Sequence, residues 1–572
     1  MTGLRRREVL AALAAATFSA ATAQATSSSS SSALVDELYG NRLMFAVSGR
    51  PLVPLGMMQG HSRLVVRAGG GLVIDVGGTI IEVPGDTPVT IERLTGTPGV
   101  VRELQIIETL EGKDRSRRRA VMDAWTKRGV AVAAFDVGGV YGVKGTVVDN
   151  RAVLIAHDGV LPAGMSDARP VPFEWLDVAP AATFRVQFQV QMSLSSPTGP
   201  WARVRARDGG AVVVEAVEHS VGYAEHGFED RFLRDEVLIV PDRRGFMAVV
   251  NLVDEDAMVA GVLPSEMFPS APMEALKAQA VTARGELFAK IGRRHFADPF
   301  LVCTEQHCQV YRGKGAEHPR TNDAAHATSG ELAFLGGQVV DSVYSACCGG
   351  HTEPAEVVWD KPPRPELVGR PDGPLSALAL PAWLSRDAAT GFFGDRISAG
   401  RLVSEPLVPQ SQESDAAVRA FLAQPRVVAW CGRSTFNQKG TGWRWERRFT
   451  VDELTKAFAD LGVGQVVAVA VDGRGPGGRL RALRVVGDRG EARVLRELPV
   501  RKRLGNLKSG LFVVDDERMP DGALVAVVLR GAGFGHGSGM CQQGAIGMAE
   551  AGANYQDILA HYYNGAAVRR AF

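Results

Sequence analysis

Short runs in which apolar and polar residues alternate dominate the chain after about residue 42. The segments 63–67, 71–75 and 79–83 alternate with a period of two and are separated by glycine and proline. This pattern is typical of half-buried strands joined by turns. Similar segments continue to about residue 230, and we find no repeat of fixed period among them. We therefore expect a mostly β accessory region over residues 42–230.

The second half of the chain changes to helical periodicity. Apolar residues recur at helical spacing over 270–292, with Ser270 as a possible cap and Gly292 as the stop, which predicts a long helix. The stretch 554–565 begins with an asparagine cap and ends in glycine, which predicts a short helix. The buried positions expected in the long helix are Leu276, Ala280, Ala283, Leu287 and Ile291.

The whole pattern predicts an α+β protein with more than one domain. A chain of 572 residues is too long for one ordinary core. The mostly β region is followed by a mixed α+β region over residues 235–572. Within it, residues 360–430 are rich in Pro, Asp and Ser, so we expect a loop-rich insertion there.

The N-terminal residues have the pattern of an export signal. Arg6 and Arg7 precede a weakly apolar, alanine-rich run, and small residues mark a cleavage position after Ala25. A membrane anchor is the alternative, but the run is shorter than the roughly 20 residues that a span needs. We therefore predict a twin-arginine signal over 1–25, a Ser-rich linker over 26–41, no stable transmembrane span, and export to the periplasm or cell wall.

Charge and cysteine content narrow the function. The formal net charge is +1, so no global basic field favours nucleic acid, and we expect no nucleic-acid partner. Six cysteines are too few to be the framework of a disulfide scaffold, so any bridge or metal site is local.

Glu266 is the first candidate for chemistry. It lies in Val262-Leu-Pro-Ser-Glu-Met, immediately before the long predicted helix. A carboxyl group among such apolar neighbours is partly desolvated, which raises its pKa and suits it to act as a general acid. The alternative is a surface glutamate beside a turn.

Cysteine and histidine are concentrated in two further segments, 303–311 and 344–353. Thiolate and imidazole ligands suit zinc, although the spacing matches no standard zinc-finger pattern. In an exported protein, a disulfide such as Cys308 to Cys348 is the alternative.

A glycine-rich segment, 533–545, surrounds His536 and would let backbone amides approach a substrate. No Gly-Lys-Ser or Gly-Lys-Thr is present in it, which argues against a phosphate-binding P-loop. The alternative is a glycine-rich turn with a structural histidine.

Taken in order, these segments closely resemble the SpoIID/LytB family, named for a stage II sporulation protein and an amidase enhancer of bacterial cell walls. The resemblance covers roughly residues 235–572, with 360–430 poorly matched. It departs from the family at Cys541 and Gln543, where serine and tryptophan are usual, and at Thr282 and Gly285. The matching pieces are Val262-Leu-Pro-Ser-Glu-Met, Glu274-Ala-Leu-Lys-Ala-Gln-Ala-Val-Thr-Ala-Arg, Cys308-Gln-Val-Tyr-Arg-Gly, Ser345-Ala-Cys-Cys-Gly-Gly-His-Thr-Glu with Trp359, Gly535-His-Gly-Ser-Gly-Met-Cys-Gln-Gln-Gly-Ala and Tyr555-Gln-Asp-Ile-Leu-Ala-His-Tyr-Tyr.

The resemblance implies a lytic transglycosylase that acts on peptidoglycan glycan strands, in the sporulation protein on strands stripped of stem peptides. Glu266 would protonate the oxygen between N-acetylmuramic acid and N-acetylglucosamine. It would then act as base while the muramic acid C6 hydroxyl attacks C1, giving a 1,6-anhydro end. No positioned water is needed, so the second carboxylate of ordinary glycosidases can be missing.

The resemblance also implies substrate-binding residues and a metal site. The candidates for holding sugar hydroxyls and acetamides are Gln279, Arg284, Tyr311, His536 and Gln542. Some family members are associated with zinc at the Cys and His positions. No cofactor is required for the reaction, but a structural zinc is possible through Cys303, His307, Cys308 and Cys348 or His351.

Two other functions remain open from the sequence. The first is a non-catalytic glycan-binding protein that stimulates a cell-wall amidase partner. The second is a zinc-dependent cell-wall hydrolase, which rests on the cysteine-containing segments alone.

Overall fold

A computed structural model of the chain describes residues 33–143, 146–161, 170–190, 193–220, 226–305, 307–359, 362–373, 412–437 and 442–572. The predicted export signal over 1–25 lies outside the described residues, as does much of the predicted insertion over 360–430. The predicted linker over 26–41 is described only from residue 33, and there it forms a helix, Ala33–Tyr39.

Strands make up nearly all of the described structure before residue 255, as the alternating pattern predicts. The predicted strands at 63–67, 71–75 and 79–83 are present within one residue of these bounds. In chain order the strands are β1 Met44–Phe45, β2 Pro51–His61, β3 Arg63–Arg67, β4 Leu72–Val76, β5 Thr79–Val83, β6 Val89–Thr97, β7 Val100–Glu111, β8 Ala133–Val137, β9 Val140–Val143, β10 Thr146–Asp149, β11 Ala152–Asp158, β12 Val171–Val178, β13 Ala181–Val190, β14 Ser193–Ser195, β15 Thr198–Gly199, β16 Ala202–Ala206, β17 Val212–His219, β18 Gly227–Leu233, β19 Glu236–Pro241 and β20 Met247–Asp254.

Three larger sheets and the two-stranded pair of β9 and β10 organise these strands. One has the order β14-β13-β6-β3-β17-β18, with β15 paired to β13, and a smaller one has the order β12-β7-β11-β8. The third has the order β1-β2-β20-β19-β16-β4-β5. Its central strands are buried over nearly their whole length, which explains why β19 and β20 read as continuous apolar runs rather than alternating ones.

The third sheet joins the two parts of the chain that the sequence separates near residues 230–235. β2 pairs with β20 in antiparallel fashion, Leu55 lying opposite Asn251, and also pairs in parallel with the strand Val302–Cys303. The division into an accessory and a catalytic part therefore does not coincide with a boundary between sheets.

The helices lie mainly after residue 254. In chain order they are α1 Ala33–Tyr39, α2 Arg118–Lys127, α3 Glu255–Glu266, α4 Met273–Lys290, α5 Pro319–Ala327, α6 Ala355–Trp359, α7 Gln412–Leu422, α8 Trp430–Arg433, α9 Val451–Ala457, α10 Glu497–Arg503, α11 Gln542–Glu550 and α12 Tyr555–Tyr562. Over the described residues, no helix combines the length and the hydrophobicity that crossing a membrane requires.

The long predicted helix is α4, and it is buried on almost every side. Leu276, Leu287 and the alanines around them have less than 3% of their surface exposed. Small residues let neighbouring elements approach from all directions. Ser270 is not its cap: the helix begins after Pro272, and no side chain caps it. The predicted helix near the C-terminus is α12, whose Asn554 side chain accepts from the Asp557 N–H, so that cap is confirmed.

Strands and helices alternate in the remaining part of the chain. The strands after residue 300 are β21 Val302–Cys303, β22 Glu331–Leu335, β23 Gln338–Val339, β24 Tyr344–Ser345, β25 Arg444–Thr450, β26 Val466–Arg474, β27 Leu480–Gly487, β28 Gly490–Leu495, β29 Phe512–Arg518, β30 Leu524–Ala532, β31 Met540–Cys541 and β32 Ala567–Arg570. A second core, which includes Phe458, Leu483 and Phe512, lies between two three-stranded sheets, β25-β30-β29 and β26-β27-β28. The α+β class with a mostly β N-terminal region is thus confirmed.

A short parallel pair, β24 with β31, joins two of the motif segments. Tyr344 lies opposite Met540, and Ser345 lies opposite Cys541. This pair places the Cys-Cys-Gly-Gly-His segment beside the glycine-rich segment that contains His536.

Candidate functional site

Glu266 is the last residue of α3, and its half-buried side chain lies where the helix ends. The helix is started by the Asp254 side chain, which accepts from the Ala257 N–H at 2.8 Å. Burial of Val262 and Leu263 against the core holds the C-terminal turn in place. The sequence-based placement of Glu266 in an apolar segment is therefore correct, although the residue ends a helix and does not lie in a turn before one.

The Glu266 carboxyl group has a pKa raised to about 7. Burial is the main cause, and the nearby Glu286 carboxylate adds to it. Hydrogen bonds from the Tyr344 hydroxyl and the Val310 backbone N–H act in the opposite direction. A carboxyl group with this pKa is largely protonated at slightly acidic pH and can lose its proton near neutrality, as a group that acts first as acid and then as base requires.

Two glutamines connect Glu266 to helices α4 and α11. The Gln542 amide donates to the Glu266 backbone carbonyl at 2.7 Å and to Gln279 Oε1 at 3.3 Å. Gln279 is fully buried, and its Nε2 has no hydrogen-bond partner among the described residues. An unpartnered buried amide donor beside Glu266 fits a group that receives a ligand or a water molecule.

His536 lies on the other side of Tyr344. Its ring packs 4.7 Å from the ring of Trp359, its Nδ1 accepts from the Ser538 N–H at 3.1 Å, and it is hydrogen bonded to the Tyr344 backbone. Burial, with the positive charges of Arg479 and Arg501, lowers its pKa to about 3. His536 is therefore neutral at physiological pH and offers a hydrogen-bonding surface, not a charge.

Arg284 is an interior structural residue, which corrects its placement among the sugar-binding candidates. It is fully buried in α4 and forms ion pairs with Glu255 at 2.6 Å and Asp256 at 3.0 Å. Arg50 from the N-terminal region pairs with the same two acids. A side chain with all its charge engaged inside the core cannot reach a glycan.

Tyr311 needs the same correction. Its ring is 1% exposed, and its hydroxyl donates to Asn251 Oδ1 at 3.0 Å. It packs so closely on α3 that a Cβ at Gly261 would lie 2.4 Å from its ring, so it supports the helix that carries Glu266.

An aromatic pair, of which Phe268 is exposed and Phe436 is half-buried, continues the surface beyond Glu266. Phe268, two residues later, is 58% exposed, and its ring stacks on that of Phe436 with 5.7 Å between centroids. Large apolar rings left in solvent next to polar groups are a common feature of binding surfaces.

The Cys and His candidates do not form one metal site. Among the described residues, one cluster of possible ligands contains Cys303, His307 and Cys308 together with His295, and another contains Cys348 with Cys431, Cys541 and Asp372. The expected joint site is therefore wrong, because its two segments belong to separate clusters. All six cysteines are unbonded, so the alternative disulfide between Cys308 and Cys348 is absent as well.

His351 belongs to neither of these clusters. It is buried, its Nδ1 lies 2.7 Å from the Thr352 carbonyl oxygen, and burial lowers its pKa to about 4. It is a neutral interior residue.

The residues of the first cluster fit zinc. His295 Nε2 lies 3.3 Å from Cys308 Sγ, and His307 Nδ1 lies 3.5 Å from the same sulfur and 3.7 Å from Cys303 Sγ. The Asp298 carboxylate lies 2.9 Å from His295 Nδ1, which is the usual way to orient a ligating histidine. Two imidazoles and two thiols make a closed set of four, as in structural zinc sites.

Sequence reasoning missed Tyr344, His295, Cys431 and Asp372. Tyr344 is the first residue of the motif segment 344–353, and this position was the sequence signal that could have identified it. His295 precedes the cysteine segment by eight residues, too far for a spacing argument. Asp372 falls in the poorly matched stretch 360–430 and Cys431 directly follows it, so neither belongs to a matched motif.

Comparisons with known proteins agree with these motifs. The family model described as stage II sporulation protein (SpoIID) matches residues 243–334, the part that holds α3, α4 and the first cluster. A second model, described only as a domain of unknown function (DUF8618), matches residues 353–539.

Relatives match over more than half of the chain. An uncharacterized protein of Brachyspira hyodysenteriae is 27% identical, over 56% of this chain and 67% of that protein. The stage II sporulation protein D of Bacillus amyloliquefaciens is 24% identical, over 59% of this chain and 81% of that protein. The amidase enhancer of Bacillus subtilis is 26% identical, over 53% of this chain but only 39% of its own length. These matches, together with the ordered motifs, support the resemblance of the chain to the SpoIID/LytB family.

Proposed function

We propose that the protein is an exported lytic transglycosylase of the bacterial cell wall and that Glu266 is its catalytic acid and base. The observation that carries the proposal is the half-buried Glu266 carboxyl group, whose pKa is raised to about 7 beside the Tyr344 hydroxyl. The substrate is a glycan strand, stripped of stem peptides as in the reaction that the family resemblance implies.

The residues around Glu266 have separate roles in the proposed reaction. Protonated Glu266 donates to the glycosidic oxygen, and the resulting carboxylate takes the proton of the muramic acid C6 hydroxyl as that oxygen attacks C1. Tyr344, by donating to the same carboxyl group, limits how far its pKa rises and fixes its direction. Half-buried Gln542 offers its side-chain amide to the sugar, fully buried Gln279 holds that amide in place through its Oε1, and Phe268 offers an apolar face.

The neighbouring carboxylate supports a mechanism with one acid. Glu286 is the acid whose charge acts on Glu266, but it is paired with Lys290 and accepts from Gln309 Nε2 at 3.2 Å. A carboxylate held in this way is unsuited to attack a sugar carbon or to activate water. An intramolecular hydroxyl nucleophile removes the need for either role.

A structural zinc in the first cluster is part of the proposal. Cys303, His307, Cys308 and His295 would hold it, and it would crosslink the segment after β21 to the segment after α4. With four protein ligands no open position remains for a substrate or a reactive water, which disfavours the hydrolase alternative.

The test is the Glu266→Gln variant incubated with purified glycan strands, with and without stem peptides, and analysed by mass spectrometry. We expect the wild type to release 1,6-anhydro ends and the variant to release none, because the amide cannot donate the proton. Glu446→Gln is the matched control: Glu446 is 60% exposed and pairs only with Arg530 among the contacts described. Undiminished anhydro product from Glu266→Gln would refute the proposal, and product heavier by one water would indicate hydrolysis.

A non-catalytic role is the second candidate, since one relative is an amidase enhancer. In that case the protein would bind glycan strands and stimulate a cell-wall amidase. Binding and stimulation that persist in Glu266→Gln, with no strand cleavage by the wild type alone, would establish this role in place of the first.

A further inference from the structure

The second cysteine cluster lies inside the protein, away from solvent. Cys348, Cys431, Cys541 and Asp372 each have none of their surface exposed. One ligand atom from each lies within 4.8 Å of the others. The four residues come from distant parts of the chain: the turn after β24, the loop before the undescribed stretch, helix α8 and the start of α11.

The spacing between the sulfurs distinguishes a metal site from a disulfide. Cys348 Sγ and Cys431 Sγ are 3.7 Å apart. Two thiolates on one tetrahedral zinc, each at about 2.3 Å from the ion, are about 3.8 Å apart. A disulfide requires about 2.05 Å. The observed separation is that of two ligands around one ion.

Backbone amides point at the sulfurs, as they do in thiolate sites. The Cys348 N–H donates to Cys541 Sγ at 3.1 Å, the Gly544 N–H donates to the same sulfur at 3.3 Å, and the Gly350 N–H donates to Cys348 Sγ at 3.4 Å. Such donors stabilise sulfur in its charged form. They would be poorly matched to neutral thiols in a simple apolar core.

The carboxylate is held in place by its own partners. The Tyr562 hydroxyl donates to Asp372 Oδ1 at 2.5 Å, and the Cys431 N–H donates to Oδ2 at 2.9 Å. A Cβ at Gly544 would lie 2.0 Å from the Tyr562 hydroxyl oxygen and 2.5 Å from Asp372 Oδ1, so a glycine is required there. Orientation of a ligating carboxylate by a hydrogen-bonding neighbour is a regular feature of metal sites.

From this arrangement we infer that Cys348, Cys431, Cys541 and Asp372 form a structural site for a zinc-class divalent ion, separate from the first cluster. Binding replaces the three thiol protons, which pass to solvent, and no electron is transferred. The ion joins helix α8 and the turn after β24 to Cys541, the last residue of β31, next to Gln542. The assignment does not depend on the proposed enzymatic activity.

The test is the metal content of the purified full chain, measured by inductively coupled plasma mass spectrometry. We expect Cys431→Ser to contain one zinc equivalent less than the wild type. An ion in the first cluster would be present in both proteins, so it does not affect the difference in zinc content between them. Cys347→Ser tests the ligand set: the buried Cys347 thiol also contacts the Cys431 and Cys541 thiols and receives the Asn437 amide at 3.7 Å, but it is not one of the four proposed ligands, so the metal content of this variant should equal that of the wild type. Equal zinc in wild type and Cys431→Ser, or loss of the ion in Cys347→Ser, would overturn the assignment.

A second measurement serves if Cys431→Ser does not fold. In the Cys303→Ser/Cys308→Ser protein, added Co²⁺ should still give intense thiolate-to-cobalt absorption, because the second cluster keeps three thiolates; absence of that absorption counts against the site. Thiol titration of the denatured Cys303→Ser/Cys308→Ser protein with chelator and no reductant should give the four remaining cysteines. A count of two or none, that is four less two for each disulfide, would show that the second cluster is oxidised and not metal-binding.

Discussion

At the scale of single residues, opposing effects on the Glu266 carboxyl group determine its pKa. Burial and the Glu286 charge raise its pKa, and the Tyr344 hydroxyl and the Val310 N–H restrain the rise. A general acid must be protonated to act, so glycan cleavage should decline as the pH rises through about 7. A cleavage rate that keeps increasing above neutrality would contradict this assignment of the acid.

The same pKa predicts how stability changes with pH. Glu266 holds its proton more tightly in the folded state, where its pKa is about 7, than at its ordinary value of 4.5. Its contribution to stability is therefore complete below about pH 4.5 and lost as the pH rises through about 7. Glu266→Gln lacks this titration, so its melting temperature should gain on that of the wild type between about pH 5 and about pH 8. Differential scanning calorimetry across this range tests the prediction, and a difference independent of pH would refute it.

Tyr344→Phe isolates the hydrogen bond to the acid. Removing the hydroxyl removes a donor that lowers the Glu266 pKa, so the pKa should rise above about 7 and the falling limb of the pH–rate profile should move to higher pH. Tyr39→Phe is the control, because the Tyr39 hydroxyl donates to the Pro241 carbonyl in the N-terminal region. A limb that stays in place or moves to lower pH in Tyr344→Phe would show that the hydroxyl does not act on Glu266.

At the scale of elements, the buried ion pairs between α3 and α4 hold the helix that ends in Glu266. Arg284→Met leaves the buried acids Glu255 and Asp256 without their interior partner, which costs about 3–5 kcal/mol of unfolding free energy. The exposed Arg205 is the control, since Arg205→Met should change stability by no more than about 0.5 kcal/mol.

Urea unfolding measures the stability effect of Arg284→Met, and kinetics on glycan separates it from a binding role. Where the variant is still folded, we expect KM to be unchanged. A raised KM with undiminished stability would restore Arg284 as a sugar contact.

These elements also show what could be predicted from the sequence. The strands at 63–67 and 79–83 and the asparagine-capped α12 depend on local patterns, and local patterns are visible in a sequence. The burial of Arg284 depends on acids in another helix, so periodicity could not distinguish an interior arginine from one that binds ligand. Glu266 was accessible through its apolar motif, whereas Cys431 was not, because its partners meet it only in the folded chain.

At the scale of the whole molecule, the mostly β region before residue 235 and the region from 235 to 572 share one sheet. β2 lies between β20 and β21, and Arg50 pairs with the acids at the start of α3. A chain that begins at residue 235 lacks β2, β4 and β16, so the apolar strands β19 and β20 would be exposed. We expect this truncated chain to lose cooperative thermal unfolding and to aggregate.

A chain that begins at Ala33 keeps every contact described and is the control for that truncation. Circular dichroism and light scattering during heating compare the two. If the 235–572 protein is soluble and unfolds in a single sharp thermal transition, this region folds without the strands before it.

The position of β2 also bears on how such a chain can change over generations. A region that contributes a central strand to its neighbour's sheet cannot be exchanged as an independent cassette, because a recombination point near residue 235 would break the pairing of β2 with β20. An exchange that replaces only one of the two parts should therefore leave β20 without its matched partner in β2.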